Sequence, residues 1–422
     1  MLLLYKIAVT LAAPFLALWL VIDNRRRPLL ARFRPYLPDF DTAPLWVHAC
    51  SIGELNTARP IIEAFNTRWP QTPCLLTVST STAMALAKDL DLPTRITWFP
   101  FDAPFVVGRF LRRLRPKALV LIETELWPCV ITQTRASGAP VLLVNGRLSD
   151  SRARSYRHFA PFLRPAIRTI AAAGMQNERY AERLRALGAD PSNVTVTGNT
   201  KFDSAPPKLH EDERSALRAE LHIPPEAQVL VFGSTRPGDE ALAVRCWEKL
   251  RENIPRLVLI VAPRHLERLS EAQEALKDTP FQLRSQLDGG EKEPGVVLLD
   301  THGELSRIYA IATVAVIGGS FYPGVDGHNP IEPAAQGVPT VFGPYMRNFQ
   351  DPADLLLARD AAVQAASAQA LCGELQSLLN DSATRARLSE TSRRTVIENL
   401  GATERTLELI EKALASPDST VF

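Results

Sequence analysis

Three acids and three cations stand where this chain could do chemistry. Glu54 follows the apolar run Leu45–Cys50 in the turn Ser51-Ile52-Gly53-Glu54. A carboxylate there can take a proton from a hydroxyl, or it can simply favour the first turn of a helix. Glu123 and Glu125 follow the run Ala118–Ile122. Two carboxylates two residues apart suit a metal pair, an acid/base pair, or one sugar-facing acid and one structural acid. Arg147, in Asn145-Gly146-Arg147-Leu148-Ser149, offers a guanidinium to a phosphate, a carboxylate or a structural acid. Lys201 follows Val194–Thr197, and Arg264 follows Leu257–Val261 after Pro263. Each suits an oxyanion. His265 alone is weak, since a satisfied surface histidine is the commoner case.

The richest stretch is Val314–Phe349. A β-branched run ends in Gly318-Gly319-Ser320, and a loop carries Gly324 and Gly327. Asn329 before Pro330 then reads as an N-cap and a first helical residue. Ile331 and Glu332 fall in the first turn, and Gly337 ends the helix before the strand Pro339–Phe342. Open N–H groups at such a helix start suit a phosphate or carboxylate. An ordinary strand–turn–helix corner has the same pattern.

Two sets of apolar runs must position these groups. The first is Leu45–Cys50, Leu75–Ser79, Ile96–Phe99, Ala118–Ile122, Val141–Asn145, Ile170–Met175 and Val194–Thr197. The second is Val229–Phe232, Leu257–Val261, Val296–Leu299, Val314–Ile317 and Pro339–Phe342. Helical spacing fills the gaps, so each set predicts a parallel sheet with helices on both faces and ligands at the carboxyl ends of the strands. Ser204–Lys208 is a Pro-rich linker. Three segments follow: 1–35, 36–203 and 204–422.

Net charge is only +2, but residues 1–168 hold 22 Lys and Arg against 11 Asp and Glu. That half calls for an anionic partner. No nucleic-acid motif is present, so a membrane surface or a phosphorylated substrate fits better. Ile7–Ile22 is uncharged, contains Pro14, and precedes Arg25, Arg26, Arg27, Arg32 and Arg34. This is the pattern of an uncleaved anchor that spans or lies in a membrane, with the body of the chain on the cytoplasmic side. Five widely spaced cysteines predict reduced, buried thiols. Asp89-Leu90-Asp91 has metal-motif spacing, but it falls at a helix end.

The order H-x-x-S-x-G-E, E-T-E-L-W-P, N-x-R-L-S, G-N-x-K-F-D, D-x-x-G-E-L and G-H-N-P-I-E-P resembles the Kdo transferases, glycosyltransferases of lipopolysaccharide synthesis. The resemblance implies an α/β GT-B fold, two Rossmann-like domains facing across a cleft behind a membrane-anchoring helix. It implies inverting transfer of Kdo from CMP-Kdo to a lipid A precursor at the inner membrane, with no cofactor and no metal. Glu54 is then the base, Glu123 supports the transition state and Lys201 stabilises charge on the donor. Pro263, Arg264, Gly303, Glu304, Leu305, Asn329, Pro330, Ile331 and Glu332 contact CMP, and Ser51, Gly53, Arg147 and Ser320 complete the substrate set. Two positions depart from the family pattern: Gly146 stands where relatives carry Ala, and Asp326 where they carry Gly. Two other readings fit less of the chain: a UDP-sugar transferase or epimerase of the same architecture, and a membrane-docked binding protein without catalysis.

Overall fold

Runs rich in Val, Ile and Leu, interrupted by Gly, Pro and Ser, pair here as two seven-stranded parallel sheets. The computed structural model describes residues 1–23, 25–289 and 295–415. The first sheet holds β1 (Leu45–His48), β2 (Cys74–Val78), β3 (Arg95–Trp98), β4 (Ala118–Ile122), β5 (Val141–Gly146), β6 (Ala172–Met175) and β7 (Val194–Val196). Its order is β3-β2-β1-β4-β5-β6-β7. The second holds β8 (Gln228–Thr235), β9 (Leu257–Pro263), β10 (Gln282–Leu283), β11 (Val296–Leu298), β12 (Val314–Ile317), β13 (Thr340–Phe342) and β14 (Val363–Gln364). Its order is β10-β11-β9-β8-β12-β13-β14. The edge strands β10 and β14 are two residues long, too short to leave a periodic trace in sequence.

Each sheet reverses its winding once, between β1 and β4 in the first and between β8 and β12 in the second. Helices leave opposite faces of the sheet at such a point, and a crevice opens at the strand ends. The central strands β1, β2, β4 and β5 are buried throughout, which explains why they read as apolar runs rather than alternations. Trp46 anchors one face of the first sheet. Its indole lies among Phe99 and Phe110, and its N–H reaches Thr77 Oγ1 at 2.9 Å.

The chain divides between Ser204 and Ala205, and residues from 399 on return to the first unit. The sequence reading assigns that closing segment to the second domain. The helix Ala402–Ala415 instead buries Leu407 and Ile410 in the apolar cluster of β1, β2 and the helix Ile52–Arg68. Asp203 fixes its start: the carboxylate accepts the N–H groups of Gly401 (2.6 Å), Ala402 and Thr403. The predicted tail, 416–422, lies outside the described residues.

The amino-terminal helix runs unbroken over Leu2–Ile22. Pro14 sits inside it on the exposed flank. Tyr5, Val9, Ala13, Leu16 and Leu20 form its protein-facing stripe, whereas Leu4, Leu11, Phe15, Leu18 and Ile22 are exposed. The helix therefore lies along the first unit for most of its length. It is long and apolar enough to cross a membrane.

In the second unit Cys246 and Cys372 are joined in a disulfide, where the sequence reading expects free thiols. The helices Asp239–Arg251 and Ala368–Asn380 pack together and bring the two Cα atoms to 5.1 Å. Cys50, Cys74 and Cys129 are free.

Asp203→Ala removes the acceptor for three helix-start amides and is expected to destabilise the first unit by ~1–2 kcal/mol. Urea unfolding followed by hydrogen exchange of the 402–410 amides reads this directly. Unchanged protection would show that packing of Leu407 and Ile410 alone holds the helix.

Candidate active site

The first crevice is built from the ends of β1 and β4, which pair in register from Leu45↔Ala118 to His48↔Leu121. After β1 the chain turns at Ser51, whose hydroxyl caps the helix Ile52–Arg68 by accepting the Glu54 N–H. Glu54 is thus held in the first turn, 5% exposed. Its Oε2 accepts the Cys50 N–H at 2.7 Å, and its Oε1 lies 3.4 Å from the Ser51 hydroxyl. Gly53 is exposed beside it, and a Cβ there would meet only Ser51 Oγ, at 3.9 Å. Room remains on that side for a ligand.

After β4 the backbone turns sharply. Glu123 has φ 58°, a left-handed conformation that is costly for a residue with a Cβ. The turn brings Glu125 back toward Glu54, and Trp127 holds it by an indole N–H bond of 3.0 Å to Oε2. Tyr156 OH donates to Thr124 O, and the Thr124 hydroxyl donates to Arg147 O, tying the turn to the end of β5. The sequence reading assigns catalysis to Glu123 and leaves Glu125 open. The structure shows Glu125 closely engaged with the base candidate.

Burial of this much acid has an electrostatic consequence. Burial first, then the charges of Glu125 and Glu123, push the Glu54 carboxyl up to about 8, against the Cys50 N–H and Arg152. Burial also raises Glu125, opposed by Arg152, the Trp127 indole and the Cys50 thiol. The two acids behave as a pair that retains a proton near neutrality. Arg152 is a participant that sequence reasoning missed, because it enters there only as part of the basic excess of residues 1–168.

Cys50 Sγ and carboxylate oxygens of Glu54 and Glu125 lie within 4.8 Å of one another. By spacing alone the set could hold a cation. The thiol is pushed up to about 12, chiefly by burial, and both acids already accept N–H groups.

Further along the same edge, Lys201 follows β7 in the turn Thr200–Ser204. Its N–H goes to Asn199 Oδ1 at 3.1 Å, and the Thr200 N–H goes to Asn145 Oδ1 at 3.0 Å. Asn145 therefore links the end of β5 to the lysine turn. Gly146 also finds its reason here: a Cβ would collide with the Met175 thioether behind it.

The second crevice lies at the ends of β8 and β12. Gly318 is required because a side chain would strike the Ser234–Thr235 backbone. The sequence predicts open amides in this loop, and the structure corrects that. The Gly318 N–H binds Gly233 O, the Gly319 N–H binds Asp239 Oδ2 at 2.6 Å, and the Gly327 N–H binds Gly319 O. Ser320 is fully buried, its hydroxyl donating to Ile317 O and accepting the Gly343 N–H, so it is a strut rather than a ligand contact. Pro330 and Ile331 are buried too, and the helix begins one residue later than predicted, at Ile331. Asn329 caps it at a distance, accepting the Ile331 N–H and donating to Glu332 Oε1. Asp326 takes φ 67°, a conformation Asp tolerates better than most residues, and lies 3.7 Å from Arg347.

What the loop offers an anion is side chains. Burial and the charges of Arg264, Arg236 and His265 push His328 down to about 4, so these four groups lie close together. His328 Nε2 and Arg236 Nε are buried without partners. Arg264 is exposed at the end of β9, and Glu332, raised by burial, feels its charge. Arg236 and His328 are absent from the predicted set, although both adjoin its motifs. Glu304, predicted to touch nucleotide, bonds Thr301 and Arg284. Leu305 beside it packs on the second sheet's core, and Gly303 is exposed with φ 80°.

Residues 26–204 match the family model of the 3-deoxy-D-manno-octulosonic-acid transferases (kdotransferases). The chain is 33% identical to the 3-deoxy-D-manno-octulosonic acid transferase of Bordetella pertussis over 96% of its own length and 98% of that protein's. It is 28% identical to the Haemophilus influenzae protein of the same name, with 95% of each covered. Among solved structures, UDP-GlcNAc 2-epimerase from Neisseria meningitidis covers 88% of the chain at TM-score 0.57 and 13% identity, a likeness of fold alone. The acid pair after β1 and β4 lies inside the family-model match, and the likeness to the Bordetella protein runs through both units. The chain belongs to the Kdo transferase family, the glycosyltransferases of lipopolysaccharide biosynthesis.

Proposed function

We propose that this enzyme transfers Kdo from CMP-Kdo to a hydroxyl of a lipid A precursor, with inversion at the anomeric carbon. The observation that carries the mechanism is the buried Glu54 carboxylate, paired with Glu125 at the reversal point of the first sheet. A base of raised proton affinity is matched to a weakly acidic sugar hydroxyl. Glu54 takes the hydroxyl proton as the oxygen attacks the anomeric carbon. The carbon–oxygen bond to the CMP phosphate breaks, and CMP leaves with the electron pair. One displacement from the face opposite the phosphate inverts the centre. Glu123 supports the developing positive charge, and Lys201 and Arg147 serve the donor's phosphate and carboxylate.

The donor reading rests on the second unit as well. Arg264, Arg236 and the neutral His328 provide cationic and N–H contacts for a phosphate, and Asn329 and Glu332 present an amide and an acid to ribose hydroxyls. With cations of the chain available for that charge, transfer proceeds without a metal ion. The exposed flank of the helix Leu2–Ile22 and the arginines after it support a location on the cytoplasmic face of the inner membrane, where an acylated, phosphorylated acceptor would be held.

Glu54→Gln keeps the helix-start shape and removes the base. Incubated with CMP-Kdo and tetra-acylated lipid A precursor, it is expected to lose about 10²–10⁴ in kcat by mass-spectrometric product counting, with CMP affinity unchanged. Turnover within threefold of wild type would remove Glu54 from the mechanism. The base must be ionised to act, so kcat/KM rises with pH up to the raised Glu54 value of about 8 and levels above it. An acid limb near the ordinary carboxylate range, about 4, would show that the pair does not hold its proton in the working enzyme. Excess chelator leaves the rate unchanged, and its abolition with rescue by added divalent ion would overturn the metal-free reading.

A further inference from the structure

Arg32 is one of five arginines after the amino-terminal helix, and the sequence groups them as partners of lipid headgroups. The structure separates it from the rest. Arg25, Arg26, Arg27 and Arg34 are exposed, whereas Arg32 turns inward from the short 3-10 turn Arg27–Phe33. Its Nε donates to Phe99 O at 3.1 Å, and its own carbonyl accepts the Phe101 N–H at 2.8 Å. The guanidinium carbon lies 5.8 Å from the Trp127 ring centroid, and Nη2 is buried without a hydrogen-bond partner. That indole is the one that bonds Glu125. Burial lowers the Arg32 guanidinium, and the neighbouring Cys50, Glu125 and Asp102 oppose this.

A second link runs in parallel. Tyr5, from the amino-terminal helix, donates its hydroxyl to Asp102 Oδ2 at 2.7 Å. Asp102 also accepts the N–H groups of Cys129 and Val130, where the helix after Trp127 begins. The first 33 residues thus grip both sides of the segment that carries Glu125. An anchor that only had to meet lipid would not send its one buried guanidinium and its one tyrosine to this loop.

We propose that Arg32 is a positioning residue of the reaction centre: its guanidinium steadies the Trp127 indole that holds Glu125, and so governs how the Glu54–Glu125 pair shares its proton. The juxtamembrane turn is then a wall of the active site as well as a membrane contact. The inference rests on Glu54 as the base. The other groups facing the pair are Glu123, Arg152, the Cys50 thiol and N–H, the Ser51 hydroxyl and Tyr156. None of them replaces a cation on the Trp127 side.

The sign follows from charge. Losing a cation near the buried Glu125 makes the pair it forms with Glu54 hold its proton to higher pH, so the acid limb moves upward. In the full chain in detergent micelles, Arg32→Gln is expected to shift the acid limb of kcat/KM up by about one pH unit. Arg32→Lys should return most of the shift, and the exposed-site control Arg25→Gln should leave the limb in place. Trp127→Phe keeps the ring, deletes the N–H to Glu125, and should move the limb in the same direction. Infrared titration of the carboxyl band lost in Glu54→Gln reads the same proton without turnover. It decides the Arg32 question even if wild type makes no Kdo product, a result that would remove only the transfer reading. A limb and an infrared titration unmoved in both Arg32→Gln and Trp127→Phe would overturn the proposal, however far the rate falls.

Discussion

Two carboxylates cannot both ionise cheaply when they are buried side by side, and the first unit is arranged around that fact. The pairing of β1 with β4 puts the two turns next to each other, and the reversal of winding between these strands leaves a crevice above them. Glu54 and Glu125 then share a site from which most water is excluded. Their remaining hydrogen-bond capacity is met by an N–H from Cys50 and an indole from Trp127. Arg152 opposes the rise of both acids, and Arg32 feels the charge of Glu125 from the Trp127 side. Local strain belongs to the same constraint: Glu123 sits at φ 58° because the chain must reverse within three residues to bring Glu125 over Glu54.

The second unit answers the opposite electrostatic problem. Its glycine-rich loop looks like an amide cradle for phosphate, yet the amides of Gly318, Gly319 and Gly327 are used within the unit. The glycines are there because strands and loop approach too closely for side chains. The loop is left with Arg236, Arg264 and His328, and burial first, then the charges of the two arginines and His265, push the histidine down to about 4. A neutral His328 can donate one N–H to a phosphate oxygen and accept a bond at its other nitrogen, which an imidazolium cannot do.

Much of this was legible in the chain. The long apolar runs place twelve of the strands because buried parallel strands carry Val, Ile and Leu without alternation. Glu54, Glu123, Arg147 and Lys201 each stand at a strand end, and local reading suffices for that. Three things were not legible. Which of two neighbouring acids turns inward depends on a single positive φ at Glu123. Whether a serine or an amide is free depends on partners far away in sequence: Ser320 is spent on Gly343, and Gly319 on Asp239, 80 positions before it. The return of the closing helix depends on Asp203 meeting Gly401 across 198 residues.

Gly146 and Asp326 show how distant partners keep a site intact. The reason for Gly146 lies 29 residues on, where the Met175 thioether fills the space a methyl group would take. Glycine here does not loosen the turn, because Asn145 still bonds the Thr200 amide and Gln176 still bonds the Asn145 carbonyl. At Asp326 it is the side chain that is accommodated. A position suited to glycine holds an acid, and Asp is among the residues that accept φ 67°. Its carbonyl takes the Asn348 N–H, and its carboxylate lies near Arg347, so the charge is met from within the loop. At both positions partners distant in sequence, rather than the side chain alone, settle what the backbone can hold.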